Sequence, residues 1–490
     1  MKRYKAEALH LTEKAVIIIK TYQDFVEAKG KGQLLDFIKT AISEYMSSTE
    51  YKIALDADEY EAERNITINK FMRMIFNSAG QQVVDFTAAN NKIASNFFHR
   101  LTTQRVSYSL GNGISFPSSE RKLVDGKWVR VDTTKEKLGK DFDTQLYNAG
   151  CFARQHRVSY LFWNLDHAVV FKMTEFLPLL DEDTGALMAG MRFWSLDWEK
   201  RPVTVVVYET DGYTKYRTRK DSKGLDLVEH EPKRGYILKV AKTAVDPEEV
   251  VGESNYSALP IVPLWGSKHK QSDLVGMRSK IDSFDLVKSG FANDLEDCAQ
   301  IYWIISNAMG MTDDQLAKFR DKMKLQHIVA ADTDNSPVTA YTQEIPVAAR
   351  DTLLKSLREQ IYEDYGGLDV HTVAAGSTND HIDMVYQNMD DEADDFEYQV
   401  IECVRGILAL MGIDEVPIFK RNKVSNQMQQ MQMVMLGANY LDDETVIRKM
   451  PFITTDEADE IMLRKTTEDQ DFTEEEEPEE EETPEEAPEV

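Results

Sequence analysis

The chain alternates between long helical periods and a central block of β pattern. Leu34, Leu35, Ile38, Ile42 and Tyr45 recur at spacings of three and four, which predicts an amphipathic helix over Leu34 to Met46. A second helix is expected from Thr87 to Leu110, closed by the chain reversal Gly111-Asn112-Gly113. From Gly126 to Val240 the period shortens to two. The β-branched run Arg201 to Tyr208, the turn Thr210-Asp211-Gly212 and the run Tyr213 to Arg219 read as a hairpin. Asp181 to Gly185 joins Phe171–Leu180 to Leu187–Trp194 in the same way, and Asp125-Gly126 closes a third pair. Hairpins in series predict an α+β fold rather than alternating βαβ units.

Helical period returns at Ser272. Leu274, Met277, Ile281, Phe284, Lys288, Phe291, Leu295 and Cys298 form a narrow seam with one charged interruption. Such a seam packs lengthwise on another helix, either within the chain or from a neighbouring subunit. A compact α/β insert is expected over 301–346, with strands at Ile301–Ile305, Gln326–Ala330 and Val338–Thr342. Within it, Thr312-Asp313-Asp314-Gln315 is a capping box for a basic helix, Leu316 to Lys324. A helix from Val347 to Tyr365 then stops at Gly366-Gly367, and the small polar run Ala374 to Asn379 reads as a loop. The next helix, about Asp380 to Met411, puts Ile382, Tyr386, Met389, Ala393, Phe396, Val400, Cys403 and Ile407 on one face. Its other face carries Asp383, Asp390, Asp391, Glu392, Asp394, Asp395 and Glu397. A Met-rich helix stopping at Gly437 and two shorter helices either side of Pro451 complete the pattern.

Charge divides the chain again. Of 490 residues, 85 are acidic and 57 are Lys or Arg, a net of -28. Thr467 to Val490 holds fourteen of those acids and no Lys or Arg, so the other 466 residues carry 71 acids against 57 bases, a net of -14. The tail cannot bury apolar surface and is expected to be disordered. A protein gripping nucleic acid over most of its surface needs a basic excess, which this chain lacks. With 42% hydrophobic residues there is material for a sizeable core. Three scattered cysteines, Cys151, Cys298 and Cys403, argue against a disulfide framework and for a reducing compartment. The apolar run Ala15 to Ile19, preceded by Glu7 and Glu13, is too short for a signal peptide, and no run approaches a membrane span.

Candidate chemistry is sparse. No phosphate-binding glycine loop, H-E-x-x-H or G-x-S-x-G occurs. The acids from Asp390 to Glu397 could hold a divalent ion for phosphoryl transfer, but acids in one run on one helix are usually a solvated face. Lys318, Arg320, Lys322 and Lys324 could touch an acidic partner, or pair with Asp313, Asp314 and Asp321 on their own helix. No cofactor or metal is expected, and no catalytic residue.

Four stretches resemble the portal proteins of long-tailed double-stranded DNA bacteriophages. Asn90 to Phe98, with Val106-Ser107-Tyr108 and Gly111 to Ile114, resembles that family's opening helix and turn. Tyr160-Leu161-Phe162-Trp163 resembles its β-rich wing. Leu259 to Leu264 and Ser272-Asp273-Leu274 resemble the start of its stem helix, together with Ile281 to Asp285, Ser289 and Asn293-Asp294. The order of the later elements is also similar. One departure is Gly376-Ser377-Thr378-Asn379, where the family often has a Ser-Gly pair followed by a small residue.

The resemblance implies an N-terminal helical segment (1–60), an α+β wing (61–271), a stem helix (272–300), an α/β clip (301–346) and a second stem helix (347–366). It further implies a tunnel loop (367–379), a tunnel helix (380–412), a helical crown (413–466) and the acidic tail (467–490). Val373, Ala374, Ala375, Gly376, Ser377, Thr378 and Asn379 would line the channel. Lys318, Arg320, Lys322 and Lys324 would meet partners at the clip, and Leu274, Met277, Ile281, Phe284, Phe291 and Leu295 would pack between subunits. The implied particle is a homo-oligomer, a dodecamer, at a capsid vertex of the virion, assembled in the host bacterial cytoplasm. Its implied partners are the terminase large subunit, major capsid and scaffolding proteins, head-completion or neck adaptors, and double-stranded DNA passing without tight binding. The competing readings are a metal-dependent DNA-processing enzyme using 390–397, and a scaffold or adaptor without a channel.

Overall fold

The computed structural model describes residues 20–76, 80–86, 88–124, 127–195, 203–219, 225–241, 249–298, 302–305, 312, 314–315, 338–341, 346–369, 379–422, 427–438, 440–450, 453, 457–458 and 461–462. Its principal helices are α1 (Leu34–Ser47), α2 (Phe97–Leu110), α3 (Phe142–His156), α4 (Leu274–Cys298), α5 (Val347–Tyr365) and α6 (Asn379–Leu410). Contacts divide the chain into two units. Unit 1 holds residues 1–55, 102–273 and 366–490; unit 2 holds 56–101 and 274–365. Helix and sheet are mixed, as an α+β fold requires.

Among the described residues, unit 1 holds a five-stranded and a three-stranded antiparallel sheet together with three two-stranded ones. The five-stranded sheet runs Leu227–Arg234, Gly212–Thr218, Thr204–Glu209, Leu187–Trp194, Phe176–Leu180, each strand beside its sequence neighbour. The expected hairpin is there, with Val206 opposite Lys215 and Glu209 opposite Gly212. Helix α1 covers this sheet, burying Ile38, Ala41 and Ile42 against Leu177, Met191, Val205 and Val207. The three-stranded sheet places Val158–Asn164 between Ile261–Trp265 and His167–Lys172. The run from Phe171 to Leu180 is therefore two strands in two sheets, because the 3-10 turn Met173–Glu175 breaks it. Helices α3 and α6 share one core with the three-stranded sheet, through Leu146, Ala149 and Ala153, Leu161 and Trp163, and Phe396, Val400 and Ile407. Close approach requires glycine here: a Cβ at Gly406 would lie 2.8 Å from Val262 Cγ1.

Helix α3 corrects the reading of Gly126 to Val240 as β throughout. Its buried face, Leu146, Ala149, Gly150 and Ala153, is made mostly of small residues that carry little hydrophobic signal.

Unit 2 pairs α4 with α5. Lys280 meets Asp364 at 2.6 Å and Arg350 meets Asp294, so the helices run antiparallel. Leu274, Met277 and Ile281 pack with Ile361, Tyr362 and Tyr365. Helix α5 stops at Gly366, whose φ of 66° is the left-handed conformation that glycine adopts without a Cβ penalty. Strands Tyr302–Ile305 and Val338–Tyr341 pair antiparallel, Ile304 opposite Thr339. Half of the expected capping box forms, the Thr312 N–H donating to Gln315 Oε1 at 3.1 Å. The helix Leu316–Lys324, the strand Gln326–Ala330, Pro451 and the tail from Thr467 lie outside the described residues.

Residues 88–96 correct a second expectation. Helix α2 begins at Phe97 rather than Thr87, because the backbone N–H groups of Asn91 and Ile93 bond side chains of α4 instead of helical carbonyls. Among the described residues, no helix is long and apolar enough to cross a membrane.

Candidate functional site

Segments that carried the resemblance meet in the fold. Tyr160-Leu161-Phe162 lies hydrogen-bonded beside Ile261-Val262-Pro263, with Ile261 opposite Phe162 and Pro263 opposite Tyr160. Proline is admitted because Ile261–Trp265 is an edge strand. Asp273 is held within unit 1. Arg154 Nε donates to Asp273 Oδ2 at 2.8 Å and Arg154 Nη1 to the Gly266 carbonyl at 2.6 Å, while the Asp273 N–H donates to the Arg154 carbonyl at 3.0 Å.

In unit 2 the Asn90 to Phe98 stretch meets residues of α4. Asp285, Ser289 and Asn293, at spacings of four on α4, are 0%, 5% and 5% exposed. Each receives a bond from residues 65–93. Asn65 Nδ2 donates to Asp285 Oδ2 (2.8 Å), the Ile93 N–H to Ser289 Oγ (3.0 Å) and the Asn91 N–H to Asn293 Oδ1 (2.5 Å). Asn65 Oδ1 in turn caps the short helix Ile66–Lys70. Beside them, Tyr60 donates to Asp282 Oδ1 at 2.5 Å, and burial with that bond pushes its hydroxyl up to about 12. The spacing of four beside an apolar seam was the signal in the sequence. Its partner, an extended segment nearly two hundred residues earlier, was not.

Burial raises the Asp285 carboxyl above its ordinary range, against the opposing bonds from Ser95 and Asn65. The folded state therefore takes up its proton more readily than the unfolded chain, so this group favours folding most below the ordinary carboxylate pKa. That contribution fades as pH rises through the folded value. Relative to Asp285→Asn, the wild type is expected to gain stability as pH falls from 7 toward 4. Unfolding midpoints of both chains across that range check the sign.

The proposed seam residues divide between inside and outside. Leu274, Met277 and Ile281 are 1%, 3% and 1% exposed, spent within their own chain. Phe284 is half-buried against Phe97, ring centroids 4.9 Å apart, and the Arg350 guanidinium sits 5.6 Å over Phe291. Leu295 is exposed.

Helix α6 buries the apolar face its period predicts, from Tyr386 and Met389 to Phe396, Val400, Cys403 and Ile407. Its acidic face is not simply solvated. Asp390, Asp394 and Glu397, at i, i+4 and i+7, surround Arg421. The guanidinium donates Nε and Nη2 to Glu397 (3.0 and 2.9 Å) and Nη1 to Asp390 (2.9 Å), and Nη2 also meets Asp394. These bonds, led by Glu397, drive the Arg421 pKa further up. Tyr108 donates to Asp390 Oδ1 at 2.6 Å, and burial with that bond raises its pKa well above the ordinary range. Arg105 bonds Glu392 at 2.8 Å, and Asp395 accepts the Lys268 N–H at 3.1 Å. Three carboxylates converge here on a cation already present in the chain. Among the described residues, no group of three or more His, Cys, Asp or Glu is arranged to hold a metal ion.

Arg421→Ala leaves three acids facing one another on successive turns, where like charges repel. With Arg421 and Asp390 side chains 24% and 20% exposed, the loss is expected to be about 2 kcal/mol, below that of a fully buried pair. Denaturant unfolding checks it, and Asp394→Asn in the same background should recover part.

Of the loop residues, Val373, Ala374, Ala375, Gly376, Ser377 and Thr378 lie outside the described residues, and Asn379 opens α6. Lys318, Arg320, Lys322 and Lys324 also lie outside them.

A family profile described as phage portal protein, SPP1 Gp6-like, matches residues 49–471. The chain is similar to a portal protein of Clostridium phage phiCD119, 23% identical over 406 residues, covering 77% of this chain and 85% of that one. It is also similar to a portal protein of Bacillus phage SPP1, 21% identical over 416 residues, covering 79% of this chain and 78% of that one. The profile spans residues of both units, including every stretch that carries the resemblance, and the chain belongs to the SPP1 Gp6-like family of phage portal proteins.

Proposed function

We propose that copies of this portal protein close into a ring of twelve at one vertex of the capsid, forming the channel through which DNA enters during packaging and leaves at ejection. The observation that carries this reading is the family match from residue 49 to 471. In this reading α4 and α5 form the stem, residues 301–346 the clip, and α6 the tunnel helix behind a loop of Val373 to Asn379. The clip cations Lys318, Arg320, Lys322 and Lys324 face the terminase large subunit during packaging and neck or head-completion proteins afterwards. Major capsid and scaffolding proteins are further partners in this reading. The ring is assembled in the host cytoplasm and stays in the virion.

Charge supports a conduit. Every phosphate neutralised by Lys or Arg adds salt-dependent affinity that translocation would have to break. A body of net -14, repeated around a ring, opposes such a grip. The Arg421 clamp offsets one of the three charges of Asp390, Asp394 and Glu397, so the cluster adds two negative charges rather than three to this repulsion. The same clamp disfavours the metal-dependent enzyme.

Heads assembled with and without the chain test the proposal. Nuclease-protected DNA should fill only those containing it, and Asp391→Asn, at an exposed acid outside the clamp, should leave filling intact. Equal filling without the chain overturns the conduit. Loss of filling in the Asp391 variant while rings still form favours the enzyme.

A further inference from the structure

In unit 2 the strands Met74–Phe76 and Gln82–Val84 pair as a two-stranded ribbon. Met74 pairs with Val84 and Phe76 with Gln82, and the ladder extends through the Asp85 N–H to the Arg73 carbonyl at 2.8 Å. Successive side chains point to opposite faces, so Met72, Met74, Phe76, Val84 and Phe86 share one face with Gln82. That face lies open: Met72, Met74, Phe76 and Phe86 are 47%, 50%, 70% and 90% exposed. Two exposed phenylalanines and two half-exposed methionines leave roughly 500 Å² of apolar surface in water, the size of the largest patch on a typical monomer. A lone two-stranded ribbon is marginal in water and gains its stability from what covers it.

We propose that this face packs on a second copy of the same chain, against the outward stripe of α4. Val275 and Leu286, three helical turns apart, are 50% and 41% exposed on that stripe. Between them stand Ser279, Asp282 and Ser283, and the Ser283 hydroxyl is turned back onto the Ser279 carbonyl at 2.8 Å. The one charge on the stripe, Asp282, is taken up within the chain by the hydroxyls of Tyr60 and Thr67, which donate to its two carboxylate oxygens. The stripe faces away from Leu274, Met277 and Ile281, so both faces of α4 are used, one inside the chain and one between copies.

Area, topology and charge favour a second copy as the occupant. The ribbon face supplies more than half of the roughly 800 Å² that each partner buries in a standard interface. Ribbon and stripe are different patches of one unit, and a head-to-tail contact between different patches generates a ring when its rotation closes. The charges also complement. Residues 66–98 carry Lys70, Arg73 and Lys92 against Asp85, net +2, whereas α4 carries three cations against five acids, net -2. The inference rests on the ring proposed above and adds the surface that closes it.

The test uses the full chain with Met74→Cys and Ser283→Cys together. Mild oxidation should give a ladder of covalent multimers on a denaturing gel, absent from the parent chain and from either single variant. Only single-chain species from preparations that show rings in the microscope would overturn the ribbon contact and leave the ring standing. A wild-type chain that never leaves the single-copy state would overturn both. Phe76→Asp with Phe86→Asp gives a second reading. Both side chains are exposed within the chain, so helix content and unfolding midpoint should hold while rings are lost. Rings that persist in this variant overturn the proposal.

Discussion

Arg154→Met is expected to cost about 3 to 5 kcal/mol, the penalty of leaving one partner of a buried ion pair alone. The Arg154 side chain is 2% exposed and that of its partner Asp273 is 9% exposed. Methionine keeps the apolar stem of the arginine and strands the carboxylate. The Gly266 carbonyl also loses its donor, and the contact of the guanidinium with the Phe396 ring, 6.0 Å away, goes with it. Adding Asp273→Asn removes the stranded charge and should return about half of the loss, so the double variant ends more stable than Arg154→Met alone. Denaturant midpoints of the four chains give the cycle. Asp273 stands directly before α4, and hydrogen exchange should show faster opening at the first turn of that helix.

Phe396→Ala is the second large loss, about 3 to 5 kcal/mol. The ring is fully buried where α6 meets α3, and it fills the space that Gly150 leaves: a Cβ there would stand 3.1 Å from Phe396 Cζ. This geometry sets a sign reversal. Gly150→Ala overpacks the wild type, at a cost of about 1 to 3 kcal/mol, whereas in Phe396→Ala the same methyl enters the cavity and recovers part of the loss. Leu110 Cδ1 and Val106 Cγ1, each 3.2 Å from that Cβ, limit the recovery. Thermal unfolding of the four chains decides it.

These residues show where the sequence is readable. The α6 face from Tyr386 to Ile407 is legible because large apolar side chains repeat over more than five turns without interruption. Helix α5 is bounded by a glycine whose backbone requires the left-handed region, and the Thr204–Thr218 hairpin by β-branched runs about a short turn. Helix α3 fails the same test, since Ala149, Gly150 and Ala153 form its inner face and its packing depends on Phe396 arriving from far along the chain.

At the candidate site the missing information is tertiary. Three acids at i, i+4 and i+7 on α6 signal a demand for a cation, but nothing local points to Arg421, 24 residues beyond Glu397. Likewise the polar spacing Asp285, Ser289, Asn293 announces a partner without naming residues 91–93. The seam of α4 was legible as a seam; which side faces its own chain depends on where α5 lies. Segments that carry the resemblance, Tyr160 to Phe162 with Ile261 to Pro263 and Asn91 with Asn293, are among those that the fold brings into contact.

The most direct test of the central claim is the mass and symmetry of the purified full chain, by light scattering together with electron microscopy. The account predicts a closed ring with a central hole and twelve-fold symmetry. A single copy without a hole, at every protein concentration and salt condition, would contradict it.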